Sequence, residues 1–207
     1  MKLYLSSYRV PTPEKLFGLL NKPPIDARVA IIPNAKDYKL PNERAQKLDE
    51  LIYDLAKYGF STEVVDLRDY EDEATLRPML QGYDLLWAAG GNTFILRSEI
   101  RRSGLEALLP ELLDAGMVYC GESAGAIVAG LTLEGAEVAD ESELADEVIE
   151  EGLGLVPRII VPHADSSDFV EYINHIKKHF GDDPRLLYLR DNEALAIDTA
   201  QGETVEK

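Results

Sequence analysis

An α/β fold, a three-layer sandwich with a mostly parallel central sheet between two layers of helix, is what this sequence predicts. Short apolar, β-rich runs alternate with segments of helical period, which argues for parallel strands covered on both faces. Leu85, Leu86 and Trp87 form an uninterrupted apolar run, as a strand buried on both sides requires. Glycine-rich turns stand just after two of the runs, where open sheets of this kind place their sites.

In chain order the strands fall at 2–6, 28–32, 61–65, 84–88, 117–120, 158–161, 186–188 and 194–197. Helices fall at 41–58, 93–102, 105–114, 124–131 and 167–180. The first helix opens on Pro41, whose missing N–H costs nothing there. It then carries Ala45, Leu48, Leu51, Ile52 and Leu55 as an apolar stripe. With 207 residues, 45% hydrophobic and 29% charged, the chain can bury a core without staples. No repeat or linker interrupts it, and residues 1–207 are read as a single domain.

Acids number 38 and bases 21, a formal net charge of −17. Such a field repels phosphate backbones and anionic lipid, so neither nucleic acid nor membrane is expected as a partner. The first residues lack the long apolar core of a signal peptide, and the expected location is the cytoplasm. The lone cysteine, Cys120, excludes a disulfide framework and a multi-cysteine zinc site. On a predicted strand it reads as a core residue. Segment 134–151 is strongly acidic and holds no Lys or Arg. Its ordinary reading is a solvated loop and helix; the sharper one is a flap beside the site.

Residues 117–120 lead into Gly121-Glu122-Ser123-Ala124-Gly125, and a helix-favouring run follows. This is G-x-S-x-G between strand and helix. The glycines allow a sharp reversal that exposes Ser123, and the Ala124 N–H would face a developing oxyanion. A plain tight turn is the competing reading. The second signal is Gly90-Gly91-Asn92-Thr93, which ends one strand and starts a helix. Asn92 or Thr93 suits the helix cap. The functional reading gives the Gly91 N–H as a second oxyanion donor. A phosphate loop is a poorer match, since neither G-x-G-x-x-G nor a Walker Lys-Ser/Thr is present.

Three histidines are available. His175 and His179 are four apart on a helix, but Ile176 stands where a metalloprotease helix carries its Glu, so no metal is expected. His163 follows strand 158–161, a place from which it can take the Ser123 proton and pass it to a leaving amine. A third group must hold the imidazole in one tautomer. Asp191 and Glu193 both qualify, since in an extended segment they point the same way, and Asp165 is a further candidate. The order Ser…His…acid differs from the Ser…acid…His of α/β-hydrolases.

These residues resemble the peptidase E (aspartyl dipeptidase) family of serine hydrolases. The resemblance rests on Gly90-Gly91-Asn92-Thr93, Gly121-Glu122-Ser123-Ala124-Gly125-Ala126, Pro162-His163 and Leu189-Arg190-Asp191-Asn192-Glu193-Ala194-Leu195, with Leu3-Tyr4-Leu5-Ser6-Ser7 at the start. It covers nearly the whole chain in order. It implies a flavodoxin-like, class I glutamine-amidotransferase-like fold. It also implies a serine exopeptidase acting on small peptides without cofactor or metal, as a monomer or homodimer. Ser123 is then the nucleophile, His163 the base and Asp191 the acid, with Glu193 as alternative. The Gly91 and Ala124 amides form the oxyanion hole, and Asn92 and Thr93 lie against the substrate. Aspartyl members carry an Arg in the segment after the His; 164–184 holds only Lys177 and Lys178. Neutral or basic first residues are therefore expected to be better substrates than Asp. The competing functions are a non-peptidase amidase or esterase, and a catalytically silent binding domain.

Overall fold

Runs of β-branched and large apolar residues become strands where both of their faces find cover. The computed structural model describes residues 1–200 and the backbone of 202–206. Its strands are β1 (Lys2–Ser6), β2 (Arg28–Ile32), β3 (Ser61–Val64), β4 (Leu85–Ala88), β5 (Val118–Glu122), β6 (Ile159–Val161), β7 (Leu186–Tyr188), β8 (Ala194–Asp198) and β9 (Gly202–Glu206). Its α-helices are α1 (Pro13–Leu19), α2 (Pro41–Ala56), α3 (Glu73–Leu80), α4 (Thr93–Arg102), α5 (Leu105–Asp114), α6 (Ala124–Ala129) and α7 (Val170–Phe180).

Seven strands form one sheet in the order β3-β2-β4-β5-β1-β8-β9. The first five run parallel, β8 lies antiparallel to β1, and β9 antiparallel to β8. Alternation along each strand divides the core in two. Leu85 and Trp87 of β4 pack with Leu16 and Leu19 of α1 and Leu51 and Leu55 of α2. Leu86 and Ala88 belong to the other layer, with Leu76 of α3, Leu96 of α4, Leu108 of α5 and Val128 of α6. Each such buried leucine contributes about 1.5–3 kcal/mol relative to exposure. The result is the mostly parallel three-layer α/β architecture.

The structure departs from the sequence reading in four places. β6 and β7 leave the main sheet and pair only with each other; alternation reveals a strand but not its neighbour. α7 covers them, packing Tyr172, Ile173 and Ile176 against Ile159 and Val161. α1, α3 and β9 lack a clear sequence signal, since α1 is seven residues long and α3 contains Pro78. Predicted helix 124–131 stops at Ala129 because Gly130 is extended and the Leu131 N–H donates to the Arg158 carbonyl at 2.8 Å. Finally, segment 134–151 holds no α-helix, only 3-10 turns at Ala136–Val138 and Ser142–Leu144. It lies along α4, where Asn92 Nδ2 donates to the Glu141 carbonyl (2.9 Å) and Arg97 Nε to the Glu151 carbonyl (2.8 Å). That cover explains why Arg97, Ser98 and Glu99 are buried.

Candidate active site

Ser123 joins β5 to α6 at φ +50° and ψ −113°. L-residues rarely adopt such a conformation, and it turns the chain hard enough to leave the hydroxyl clear of the sheet end. Gly125 makes the turn possible, since a Cβ there would stand 2.1 Å from the Ala88 carbonyl oxygen. Ala126 and Ile127 donate their N–H groups to the Ser123 carbonyl at 2.9 and 3.0 Å. The Ala124 N–H has no protein acceptor among the described residues.

His163 follows β6, also at positive φ (+59°), and is 8% exposed. Its N–H donates to Ser7 Oγ at 2.7 Å, and its ring stacks on Phe169 with centroids 4.3 Å apart. Nε2 lies 2.9 Å from Ser123 Oγ, and Nδ1 lies 2.7 Å from Asp191 Oδ1. Ser7 Oγ also donates to Asp191 Oδ1 at 2.9 Å. An imidazole so held can take the hydroxyl proton on one nitrogen while a carboxylate fixes the other.

The three candidate acids separate by geometry. Residues 190–193 form a tight turn rather than a strand, with the Glu193 N–H bonded to the Arg190 carbonyl at 2.9 Å. Asp191 reaches the imidazole. Glu193 is buried beneath the turn, where Oε2 accepts the Arg190 N–H at 3.0 Å. Asp165 Oδ1 accepts the Asp191 N–H at 3.0 Å and so holds that residue's backbone.

Gly91 has φ +147°, and a Cβ on it would lie 2.2 Å from the Ala35 carbonyl oxygen. Only glycine fits there. Its neighbours are bonded: the Gly90 N–H to Glu122 Oε1 (3.3 Å), the Gly90 carbonyl to Lys36 Nζ, and the Asn92 N–H to the Ala35 carbonyl (2.6 Å). The Gly91 N–H has no protein acceptor among the described residues. Asn92 and Thr93, expected against substrate, are committed elsewhere. Asn92 Oδ1 caps α4 by accepting the Phe94 and Ile95 N–H groups, and Thr93 Oγ1 donates to Asp140 Oδ2 at 2.6 Å. Both are buried, and neither lines the two cavities beside Ser123.

Those cavities differ in character. One, of about 400 Å³, is lined by Arg9, Lys36, Lys39, Lys47, Tyr38 and Glu122 besides Ser123 and His163. The other, of about 250 Å³, is lined by Ile127, Ala136, Ala139, Asp140, Pro162 and Tyr172. Burial pushes the Asp140 carboxyl up, and the hydrogen bonds from Thr93 oppose that only in part. Segment 134–151 thus flanks the site. The cations that sequence reasoning seeks after His163 come instead from 36–47 and from Arg9. Arg9 pairs with Glu50, Asp54 and Glu122. The sequence pattern gives Lys36 no role; Ser7 stands in the opening motif and Asp140 in the acidic segment, but neither is singled out there. His175 and His179 lie away from these cavities, facing Glu137 and Glu134 at 3.4 and 3.3 Å.

The sheet, the strand–helix elbow and the hydroxyl–imidazole–carboxylate line define a serine hydrolase. Comparison with known proteins narrows the class. The model of peptidase family S51 matches residues 7–205, and the chain belongs to that family. It is 28% identical over 144 residues to an uncharacterized peptidase of Listeria monocytogenes, covering 69% of this chain and 70% of the relative. It is 29% identical over 99 residues to peptidase E of Shewanella amazonensis, covering 48% of this chain and 41% of that one. A crystal structure of a candidate peptidase E protein from Listeria monocytogenes shares the fold, with a TM-score of 0.84 and 21% identity over 100% of this chain and 98% of that one. The protein is therefore a serine peptidase, and its substrates are peptides. Among the described residues, no helix is long and apolar enough to cross a membrane.

Proposed function

We propose that this chain is an exopeptidase for small peptides, working through Ser123, His163 and Asp191 within one domain spanning 1–207. His163 Nε2 takes the Ser123 proton as Oγ attacks the scissile carbonyl carbon. The oxyanion of the tetrahedral intermediate accepts the Gly91 and Ala124 N–H groups. His163 then gives the proton to the leaving amine as the C–N bond breaks, and an acyl-enzyme remains on Ser123. A water, deprotonated by His163, attacks that ester and releases the acid. Asp191 keeps the proton of neutral His163 on Nδ1 and stabilises the imidazolium.

The observation that carries this reading is the pair of contacts from one imidazole, 2.9 Å to Ser123 Oγ and 2.7 Å to Asp191 Oδ1, at a strained elbow. Asn92 and Thr93 serve it from behind, fixing the start of α4 beside Gly91. The larger cavity favours a substrate carboxylate near the scissile bond, because Lys39 brings it a positive charge with no carboxylate partner among the described residues, while Lys47 is paired with Glu50. That argues against the preference for neutral or basic first residues drawn from the missing arginine. The net charge of −17 supports the absence of a nucleic-acid partner, and the lone buried thiol suits a cytoplasmic location. The chain acts, in this reading, as a monomer or homodimer.

Ser123→Ala tests the nucleophile. Turnover should fall about 10³-fold or more with the melting temperature retained, and labelling by a fluorophosphonate should vanish. Near-normal hydrolysis in the alanine variant would refute the assignment. Comparing kcat/KM for Asp-Leu, Ala-Leu and Lys-Leu tests the carboxylate; a preference for Lys-Leu would refute it.

A further inference from the structure

Among the described residues, Lys36 is the one lysine that the fold buries, 6% exposed in a protein rich in solvated charge. It sits in a 3-10 turn (Asn34–Lys36) directly after β2. That turn is rigid. Asn34 Oδ1 accepts the Leu67 N–H at 3.0 Å, and Asn34 Nδ2 donates to Asp37 and Asp66 at 2.8 Å each. The Lys36 ammonium does not reach for an acid; it donates to the carbonyl of Gly90.

The Gly90 carbonyl and the Gly91 N–H are two ends of one planar peptide. Between two glycines such a peptide can flip at little steric cost. A flipped peptide would aim a carbonyl oxygen where the oxyanion must form. We propose that Lys36 is a positioning residue for the oxyanion hole, holding the Gly90 carbonyl so that the Gly91 N–H on the other end stays aimed at the reacting carbonyl. The inference rests on the reading of Ser123 as nucleophile and Gly91 as donor.

Two consequences separate this from generic loop packing. A flip would strip a buried ammonium of its acceptor, which is far costlier than losing a neutral contact. The ammonium also polarises the peptide along its length, strengthening the N–H as a donor. Glu122 completes the clamp by accepting the Gly90 N–H, while Ala35 accepts that of Asn92. Among the described residues, the Gly91 N–H is then the one amide of 90–92 with no protein acceptor. Burial lowers the Lys36 pKa and the Glu122 carboxylate opposes that, with Arg9, Lys39 and Lys47 adding repulsion.

The test uses Lys36→Met and Lys36→Gln in the full chain, with Ser123→Ala as control. Two readouts are taken. One is kcat and KM on whichever of Asp-Leu, Ala-Leu and Lys-Leu the wild type cleaves fastest. The other is the second-order rate of labelling by a fluorophosphonate, whose P=O oxygen occupies the same hole. Lys36→Met should lower kcat and labelling about 10–100-fold with KM within about twofold, below the loss for deleting a donor outright. Lys36→Gln, which keeps an N–H donor, should recover part of it. Values within twofold of wild type would overturn the proposal. So would an unchanged kcat with KM raised tenfold, which would make Lys36 a substrate-binding group. Failure of both variants to melt cooperatively would likewise overturn it, since Lys36 would then be a fold residue. Activity surviving in Ser123→Ala would instead sink the underlying reading.

Discussion

Replacing Asp191 by Asn removes one charge and keeps the shape. The structure sets two costs. The first is loss of the carboxylate beside an imidazolium. Unit charges about 4 Å apart are worth about 1 kcal/mol in water and about 4 kcal/mol at an effective dielectric of 20. The Asp191 side chain is 44% exposed, so about 2 kcal/mol is reasonable, near 30-fold in rate. The second cost is tautomeric. The new amide can donate to Nδ1, which moves the ring proton to Nε2, where it faces Ser123 Oγ and blocks base catalysis. The same exchange at a buried acid costs about 10⁴ in kcat. Ser7 Oγ is bonded to the same Oδ1, so an amide turned to donate to Nδ1 would also face Ser7 with its NH2, which works against this orientation and holds the loss below the full value. Together the expected loss is about 10²–10³ in kcat, with KM little changed. Glu193→Gln keeps its acceptor for the Arg190 N–H and should stay within about threefold. Steady-state hydrolysis and fluorophosphonate labelling on both variants decide the matter. Activity of the Asp191→Asn variant within threefold of wild type, or a larger loss in Glu193→Gln, would refute the reasoning.

Three further outcomes are expected. Gly91→Ala forces a Cβ to 2.2 Å from a carbonyl at φ +147°, so labelling should drop about 10²-fold or more with a lowered melting temperature; a silent change would contradict the geometry. At Asp66, burial alone would raise the carboxyl pKa, but hydrogen bonds from Arg68 and Asn34 and the charge of Arg44 outweigh it and hold the group well below the usual range. A depressed folded pKa means stability that is present above the ordinary value near 4 and lost as pH falls through the folded one. Asp66→Asn should therefore lower the melting temperature at pH 7 and flatten its decline below pH 4, as calorimetry would show. Burial pushes the Cys120 thiol up, so iodoacetamide at pH 8 should spare it in the native protein and react after unfolding; rapid native labelling would deny its burial.

Much of this is legible from local pattern. The apolar run at 85–87 and the stripe on 41–58 locate the sheet and one covering helix, because strand and helix periods act within a few residues. Ser123, His163 and the 190–193 acids stand out because each follows a strand. Local pattern alone does not choose Asp191, since an extended chain would leave the two acids equivalent; the resemblance chooses it, and the tight turn at 190–193 sets the two apart in space. The contacts of Ser7, Lys36 and Asp140 escape for a different reason. Each acts through contacts made by tertiary packing, and no spacing rule links residue 36 to residue 90. The acidic segment misleads where its charge suggests solvent alone, whereas its backbone carbonyls at Glu141 and Glu151 and the Asp140 carboxylate all cover α4.

The imidazole and its acid hang from the two-stranded pair β6–β7, and the hydroxyl from the seven-stranded sheet. The smaller unit has strands of three residues and rests on five buried side chains of its own. Small cooperative units open at lower free energy than the body they rest on. Partial denaturation should then disarm the enzyme before it unfolds. Trp87, the sole tryptophan, lies fully buried on β4, an interior strand of the larger sheet, and would keep its native emission while hydrolysis disappears. In urea the two curves should separate, and dilution should restore activity faster than the refolding of the main sheet allows. Freedom to breathe at this seam would let the cleft admit and release peptides without any hinged lid.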